Sequence, residues 1–153
     1  MIHDIVTNQV LVASVFAWAV AQLTKTLVAF TQGKGLSTRY LFGSGGMPSS
    51  HSAFVSGLAT AIAMIEGFGS VTFAISVIVA LIVMYDAAGV RQSVSRQSRI
   101  INRIVGELRL GRHIADIESD LRELVGHTPF QVFAGSTLGI IVAWLWITIA
   151  GGQ

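Results

Sequence analysis

The sequence predicts an all-α integral membrane protein: a helical bundle of about four transmembrane helices, with an amphipathic helical loop between the third and the fourth. Three observations predict it. Of 153 residues, 52% are hydrophobic and only 12% are charged, against roughly 25% charged in a soluble domain. Mean hydropathy is +0.68. The apolar residues fall in long blocks separated by glycine-rich or charged segments, which leaves no length for a separate soluble module. The chain therefore reads as one membrane-embedded domain over residues 1–153.

The first block runs from Gln9 to Phe30, with Trp18, Gln22, Thr24 and Lys25 among apolar neighbours. At ~1.5 Å per residue it can cross a ~30 Å hydrocarbon core. No basic segment precedes it, so a cleavable signal peptide is not expected. The second block begins in Gly45-Gly46-Met47-Pro48-Ser49-Ser50-His51-Ser52-Ala53 and continues to about Ile65. It is short for a span, so its first turn is expected slightly below the membrane surface or where the bilayer thins. Glu66-Gly67-Phe68-Gly69 is a tight turn. The third block, Val71 to Tyr85, ends in Asp86-Ala87-Ala88-Gly89-Val90-Arg91. The fourth, Pro129 to Ala150, carries Trp144 and Trp146 near its end, where interfacial aromatics are common.

The polar stretch from Gln92 to Gly126 has its own periodicity. Ile100, Ile101, Ile104, Val105 and Leu108 share one helical face opposite Arg96, Arg99, Arg103 and Glu107; after Gly111 the pattern resumes with Ile114, Ile117, Leu121, Leu124 and Val125. Two amphipathic helices fit this spacing, their apolar faces lying on the bilayer or covering the bundle.

Four crossings would put both termini on one side and the segments Thr31–Met47 and Arg91–Gly126 on the other. Those segments hold Lys34, Arg39, Arg91, Arg96, Arg99, Arg103, Arg109, Arg112 and Arg122, leaving only Lys25 of the ten Lys and Arg residues. The positive-inside rule makes that face cytoplasmic. Lys25, Arg39, His51, Asp86, Arg91 and His127 then converge at one membrane face.

Chemistry concentrates there. A glycine-rich turn opening a helix is an anion site through its free backbone N–H groups, and a histidine in it can move a proton near neutral pH. Ser49 also reads as a simple N-cap and His51 as an interfacial histidine, but neither accounts for the paired glycines and the proline. Asp86 and Arg91 fit an ion pair closing a helix as well as a functional pair; an acid at the end of an apolar span is costly unless paired or functional. Thr128, Pro129 and Gln131 form a capping box, which leaves His127 unexplained. Gly135, Gly139 and Ala143, and likewise Ala53, Gly57 and Ala61, recur every four residues. Small faces of this kind let two helices approach closely and would bring His51 near His127.

Two histidines, several cations and a glycine-serine turn suit metal-free phosphoryl transfer. One imidazole attacks phosphorus and the other protonates the leaving oxygen, while cations and N–H groups neutralise the remaining oxygens. No His-x-x-x-His or Glu-x-x-His spacing points to a metal, and the absence of cysteine excludes disulfide and thiolate chemistry.

The motifs Gly45–Ala53, Val83-Met84-Tyr85-Asp86-Ala87-Ala88-Gly89-Val90-Arg91 and Glu123-Leu124-Val125-Gly126-His127-Thr128-Pro129-Phe130-Gln131-Val132-Phe133-Ala134-Gly135 together resemble the divergent branch of the type 2 phosphatidic acid phosphatases. This branch is related to acid phosphatases and vanadium-dependent haloperoxidases. The likeness runs from Ala21 to the last block. It implies a helical fold in which His127 is the nucleophile that forms phosphohistidine and His51 is the general acid. Gly46, Ser49 and Ser50 would hold phosphate, with Lys25 and Arg39 as candidates for the first basic motif and Arg91 standing in for a later arginine. The chain departs from the wider pattern in three places. Ser50 replaces a glycine, Leu121 stands where an arginine precedes the second histidine, and Gln131 occupies the place of a carboxylate one turn after His127. An amide oxygen can fix the imidazole tautomer but cannot stabilise an imidazolium as a carboxylate does; Asp86 is a candidate for the missing charge.

The resemblance implies a lipid-phosphate phosphatase of a bacterial-type cell membrane, acting without a cofactor on an isoprenoid or glycerolipid phosphate or diphosphate. Its partners would be the bilayer and the lipid, not nucleic acid, and the small-residue faces are compatible with a homodimer. A non-catalytic lipid-phosphate binder, carrier or assembly protein that retains the pocket is the alternative. Haloperoxidase-like oxidation with vanadate in the same pocket is a third reading, disfavoured by the lack of a soluble scaffold or a halide site.

Overall fold

A computed structural model describes residues 2–31, 46–90, 93–94, 97–98, 100–101, 104 and 126–150. Among these residues every regular element is helical: α1 (Ile2–Val6), α2 (Gln9–Thr31), α3 (Ser50–Glu66), α4 (Val71–Tyr85), a π-helical turn (Asp86–Val90) and α5 (Pro129–Ala150). Gln9–Thr31, Val71–Val90 and Pro129–Ala150 are each long and apolar enough to cross a membrane. The expected count of four crossings is thus reached for three. Helix α3 is a fourth member of the bundle but has only 17 residues, about 25 Å of axis. The apolar blocks otherwise form helices with the expected bounds. The short α1 and the π-helical turn add to that reading. The expected amphipathic loop lies largely outside the described residues; within it, Ile100, Ile101 and Ile104 are exposed.

Local chemistry sets the helix ends. Asn8 caps α2 by accepting the Leu11 N–H at 3.0 Å. Ser70 caps α4 by accepting the Phe73 N–H at 3.2 Å, which satisfies an otherwise orphaned donor. Gly67 ends α3 at φ +87°, a region that suits glycine. Between α3 and α4 the polar groups close on one another: Ser70 Oγ donates to the Gly67 carbonyl at 2.9 Å, and Thr72 donates to Glu66. Phe68 projects from this turn, 78% exposed, with its ring edge-on to Phe73.

Helix α3 is central and packs on α2, α4 and α5, while α2 also packs on α5. The spine consists of small residues. Ala13, Ala17, Ala21, Ala53, Ala61 and Ala143 have no accessible surface. A Cβ placed on Gly57 would lie 2.9 Å from Ala17 Cβ, and one on Gly139 would collide with the Ala53 carbonyl oxygen. Ser56 Oγ, on α3, reaches the Ser136 carbonyl of α5 at 3.0 Å. The expected close approach of the two small-residue faces is therefore present, and α2 shares it through Ala17. At the far end of the bundle Trp146 Nε1 donates to Gln9 Oε1 at 3.1 Å, and the Trp146 ring lies 4.9 Å from that of Phe16. The outward faces are apolar, including Leu23, Leu27, Ile75, Ile78, Ile82, Phe133 and Ile149. That is the reverse of a soluble bundle and the expected surface of a helix in lipid.

Candidate functional site

Helix α3 starts where the other helices have not yet ended. Lys25 lies about 9 Å along the axis before the end of α2 at Thr31, and the segment Gly46–Ser49 folds against it. Irregular backbone at such a depth must be held by protein contacts, and this segment is. The Ser49 N–H donates to the Gln131 carbonyl of α5 at 3.1 Å. Ser49 Oγ accepts the Ser52 hydroxyl at 3.0 Å and the Ser52 N–H at 3.4 Å, capping α3. Opposite, a Cβ on Gly135 would collide with the Ser49 carbonyl oxygen, so only glycine lets α5 lie this close. Gly46 has φ +84° and the Met47–Pro48 peptide is cis.

His127 is held through both its backbone and its ring. Its backbone N–H donates to the Ala87 carbonyl at 3.1 Å, within the π-helical turn. Its ring lies near enough to the Gly46 backbone for that group to act on it electrostatically. Its Nδ1 lies 3.3 Å from Gln131 Oε1. The same Oε1 accepts the Thr128 backbone N–H at 3.1 Å, and the Gln131 N–H returns to Thr128 Oγ1 at 3.3 Å, which is the expected capping box. Because a backbone N–H can only donate, this atom of Gln131 is the amide oxygen, and the bond to the ring is Nδ1–H to oxygen. In the neutral ring the lone pair then sits on Nε2. His127 is 3% exposed. Its pKa is lowered, chiefly by burial and further by the neighbouring His51 and Lys25, against the opposing effects of the Gln131 hydrogen bond and the Gly46 backbone.

His51, in the first turn of α3, is exposed, and its ring centroid lies 6.5 Å from that of His127 with the planes inclined by 59°. Lys25 is 3% exposed and close enough to His127 to act on it electrostatically. Ser50, the first residue of α3, is 4% exposed, and its hydroxyl makes no hydrogen bond to another described residue. Its hydroxyl stands beside His51 at the start of α3, where it could donate to an anion.

The structure thus brings Lys25, Gly46, Ser50, His51, His127 and Gln131 to one place. Asp86 opens the π-helical turn, half-buried, one residue before the carbonyl that holds His127. Ser49 is present but fully buried, with its hydroxyl and N–H engaged in the cap and in α5. Arg39 and Arg91 lie outside the described residues. Among the described residues no group of three His, Cys, Asp or Glu side chains is placed to hold a metal ion. Two features escape sequence reasoning: the Ala87 carbonyl as acceptor for His127, and the contact between Gly46 and Lys25. Only the run of small residues Ala87-Ala88-Gly89 hinted at the first.

Comparison with known proteins bears on this site. Residues 6–142 match the divergent PAP2 family. A Bacillus subtilis (strain 168) protein described as the uncharacterized membrane protein YuiD is 36% identical over 148 residues, covering 91% of this chain and 94% of that protein. No solved structure matches the chain.

Proposed function

Since this chain is a membrane protein belonging to the divergent PAP2 family, we propose that it is a lipid-phosphate phosphatase that works through a phosphohistidine at His127. The observation that carries this reading is the pairing of a buried, Nδ1-protonated His127 with an exposed His51 at 6.5 Å. A nucleophile attacks from about 3–3.5 Å, and an acid protonates a leaving oxygen from about 2.6–3.2 Å. Two imidazoles this close are neighbours that one phosphoryl group can contact together.

In this reading Nε2 of His127 attacks phosphorus, the bond to the ester oxygen breaks, and His51 gives its proton to that oxygen. Water then attacks the phosphohistidine, with His51 taking the proton, and releases phosphate. Lys25, the Ser50 hydroxyl and the first N–H groups of α3 neutralise the other phosphate oxygens. Arg39 and Arg91 are proposed to join them, and Asp86 to supply the carboxylate charge that Gln131 lacks. The apolar outer faces of the helices suit a substrate whose tail stays in the bilayer, such as a polyprenyl or glycerolipid phosphate or diphosphate. The basic residues of segments 31–47 and 91–126 support a cytoplasmic site with the termini on the opposite side.

The test is metal-free release of phosphate from defined lipid phosphates by the purified protein in detergent. Loss of release in His127→Ala is expected, and release that persists would refute the nucleophile. Gln131 favours a second reading, a binder that keeps the pocket without turnover. Phosphate binding with no release from either wild type or Gln131→Glu would select it.

A further inference from the structure

Gly46 sits where the lysine of α2 and the histidine before α5 meet. It adopts φ +84°, and a Cβ on it would stand 3.1 Å from both Cγ and Cδ of Lys25. Ordinary carbon contacts are near 3.5–4.0 Å, so any side chain here presses on the middle of the lysine stem rather than its mobile end. The stem has little room to yield, because Lys25 is 3% exposed and rooted among Ala21, Gln22 and Ala29 on the buried face of α2. The backbone of the same glycine is near enough to the His127 ring to act on it electrostatically. The position of the charge at the end of the stem is therefore set by the residue packed against its middle.

We propose that Gly46 is a positioning residue: its missing side chain leaves the space that the Lys25 stem fills, and so sets where the lysine charge stands beside the His127 imidazole. The proposal rests on the phosphatase reading only in assigning phosphate as the ligand that the two groups jointly face. It differs from a role for Gly46 as a phosphate donor alone, because the effect of a side chain at 46 runs through Lys25.

A double-mutant cycle separates the two. Orthophosphate binding by the full-length protein in detergent, and the NMR titration of His127, are measured for wild type, Gly46→Ala, Lys25→Ala and the double variant. Lys25→Ala removes Cγ and Cδ, so the added methyl then meets open space, and the backbone strain of a side chain at φ +84° is common to both backgrounds. Gly46→Ala in the wild-type background should weaken binding by about fivefold or more and move the His127 titration. In the Lys25→Ala background the same change should weaken binding several-fold less and move the His127 titration less. Other charged groups at this end, His51 on α3 and Asp86 in the π-helical turn, are common to all four proteins and cancel in the cycle. Additive effects of the two changes overturn the proposal, as does a Gly46→Ala protein that binds and titrates like wild type. If Gly46→Ala does not fold, Gly46→Asn places the same Cβ on a residue type that tolerates positive φ. If wild type binds no orthophosphate, the phosphatase reading fails while the His127 titration still decides the role of Gly46.

Discussion

The imidazoles of His51 and His127 stand 6.5 Å apart between ring centroids, one exposed to solvent and the other buried. Contacts that neither histidine contributes also help to set the pair. Ser49 donates its N–H to Gln131, and Gly135 admits the Ser49 backbone, so the start of α3 and the start of α5 are clamped together two residues from one histidine and four from the other. The geometry of the pair is therefore a property of helix packing and responds to changes remote from either ring.

Gly135→Ala should show this. The added methyl meets the Ser49 carbonyl, with no flexible side chain to yield. Overpacking of this kind costs about 1–3 kcal/mol, read as a lower thermal midpoint in detergent. If the protein folds, phosphate release should fall at least tenfold, because the rings move apart. A variant with wild-type midpoint and activity would contradict the clamp.

Gln131→Ala should act on both stability and rate. It removes the acceptor for the Thr128 N–H, and loss of a cap costs about 1 kcal/mol. It also frees His127 Nδ1, and mis-set tautomers in comparable sites lower rates by orders of magnitude. Gln131→Glu keeps both acceptors, adds the charge that stabilises an imidazolium, and should raise turnover. Equal rates in Gln131→Ala and wild type would remove Gln131 from the mechanism.

The pH profile follows from the buried ring. Burial lowers the His127 pKa below the ordinary value of about 6.5, so the neutral nucleophile persists into mildly acidic solution. The acid limb of the rate should fall below pH ~6.5. For stability the sign is the same: between the two pKa values the unfolded chain binds more protons than the folded one, so stability rises with pH across that window and is lost as pH drops through it. Lys25→Ala removes a neighbouring positive charge and should shift the limb upward. An upward shift of His127 itself in wild type, measured by NMR, would reverse the argument.

Ser50→Ala should weaken orthophosphate binding by roughly tenfold, the loss of one hydrogen bond to a charged group, and leave the thermal midpoint of the empty protein unchanged or higher. Its hydroxyl makes no hydrogen bond to another described residue, so nothing in the empty bundle is lost with it. A lower midpoint would assign Ser50 to the fold and not to the ligand.

Membrane sidedness is open to direct labelling because the chain contains no cysteine. Phe68, at the α3–α4 turn, and Thr7, before α2, both belong to the end of the bundle away from the histidines. Single cysteines at these two positions should react with an impermeant reagent from the same side. Reaction from opposite sides would break the packing order of α2, α3 and α4.

The helices were legible in the sequence because their causes are local. Apolar runs, Ser49 as a cap, the Thr128–Gln131 box and the turn at Glu66–Gly69 each act within one turn of chain. The small-residue repeats of α3 and α5 also announced their contact, since a four-residue spacing already defines one helical face. Tertiary structure alone decided which groups at that end share a site. Helix rotation and depth fixed Ser49 as a spent cap, fully buried, and left Ser50, one residue on, outside the cap. The widening of the π-helical turn supplied the Ala87 carbonyl to His127, and the bare backbone of Gly46 received Lys25. Such pairings depend on the close approach of segments far apart in the chain, and van der Waals fit decides them within a few tenths of an ångström.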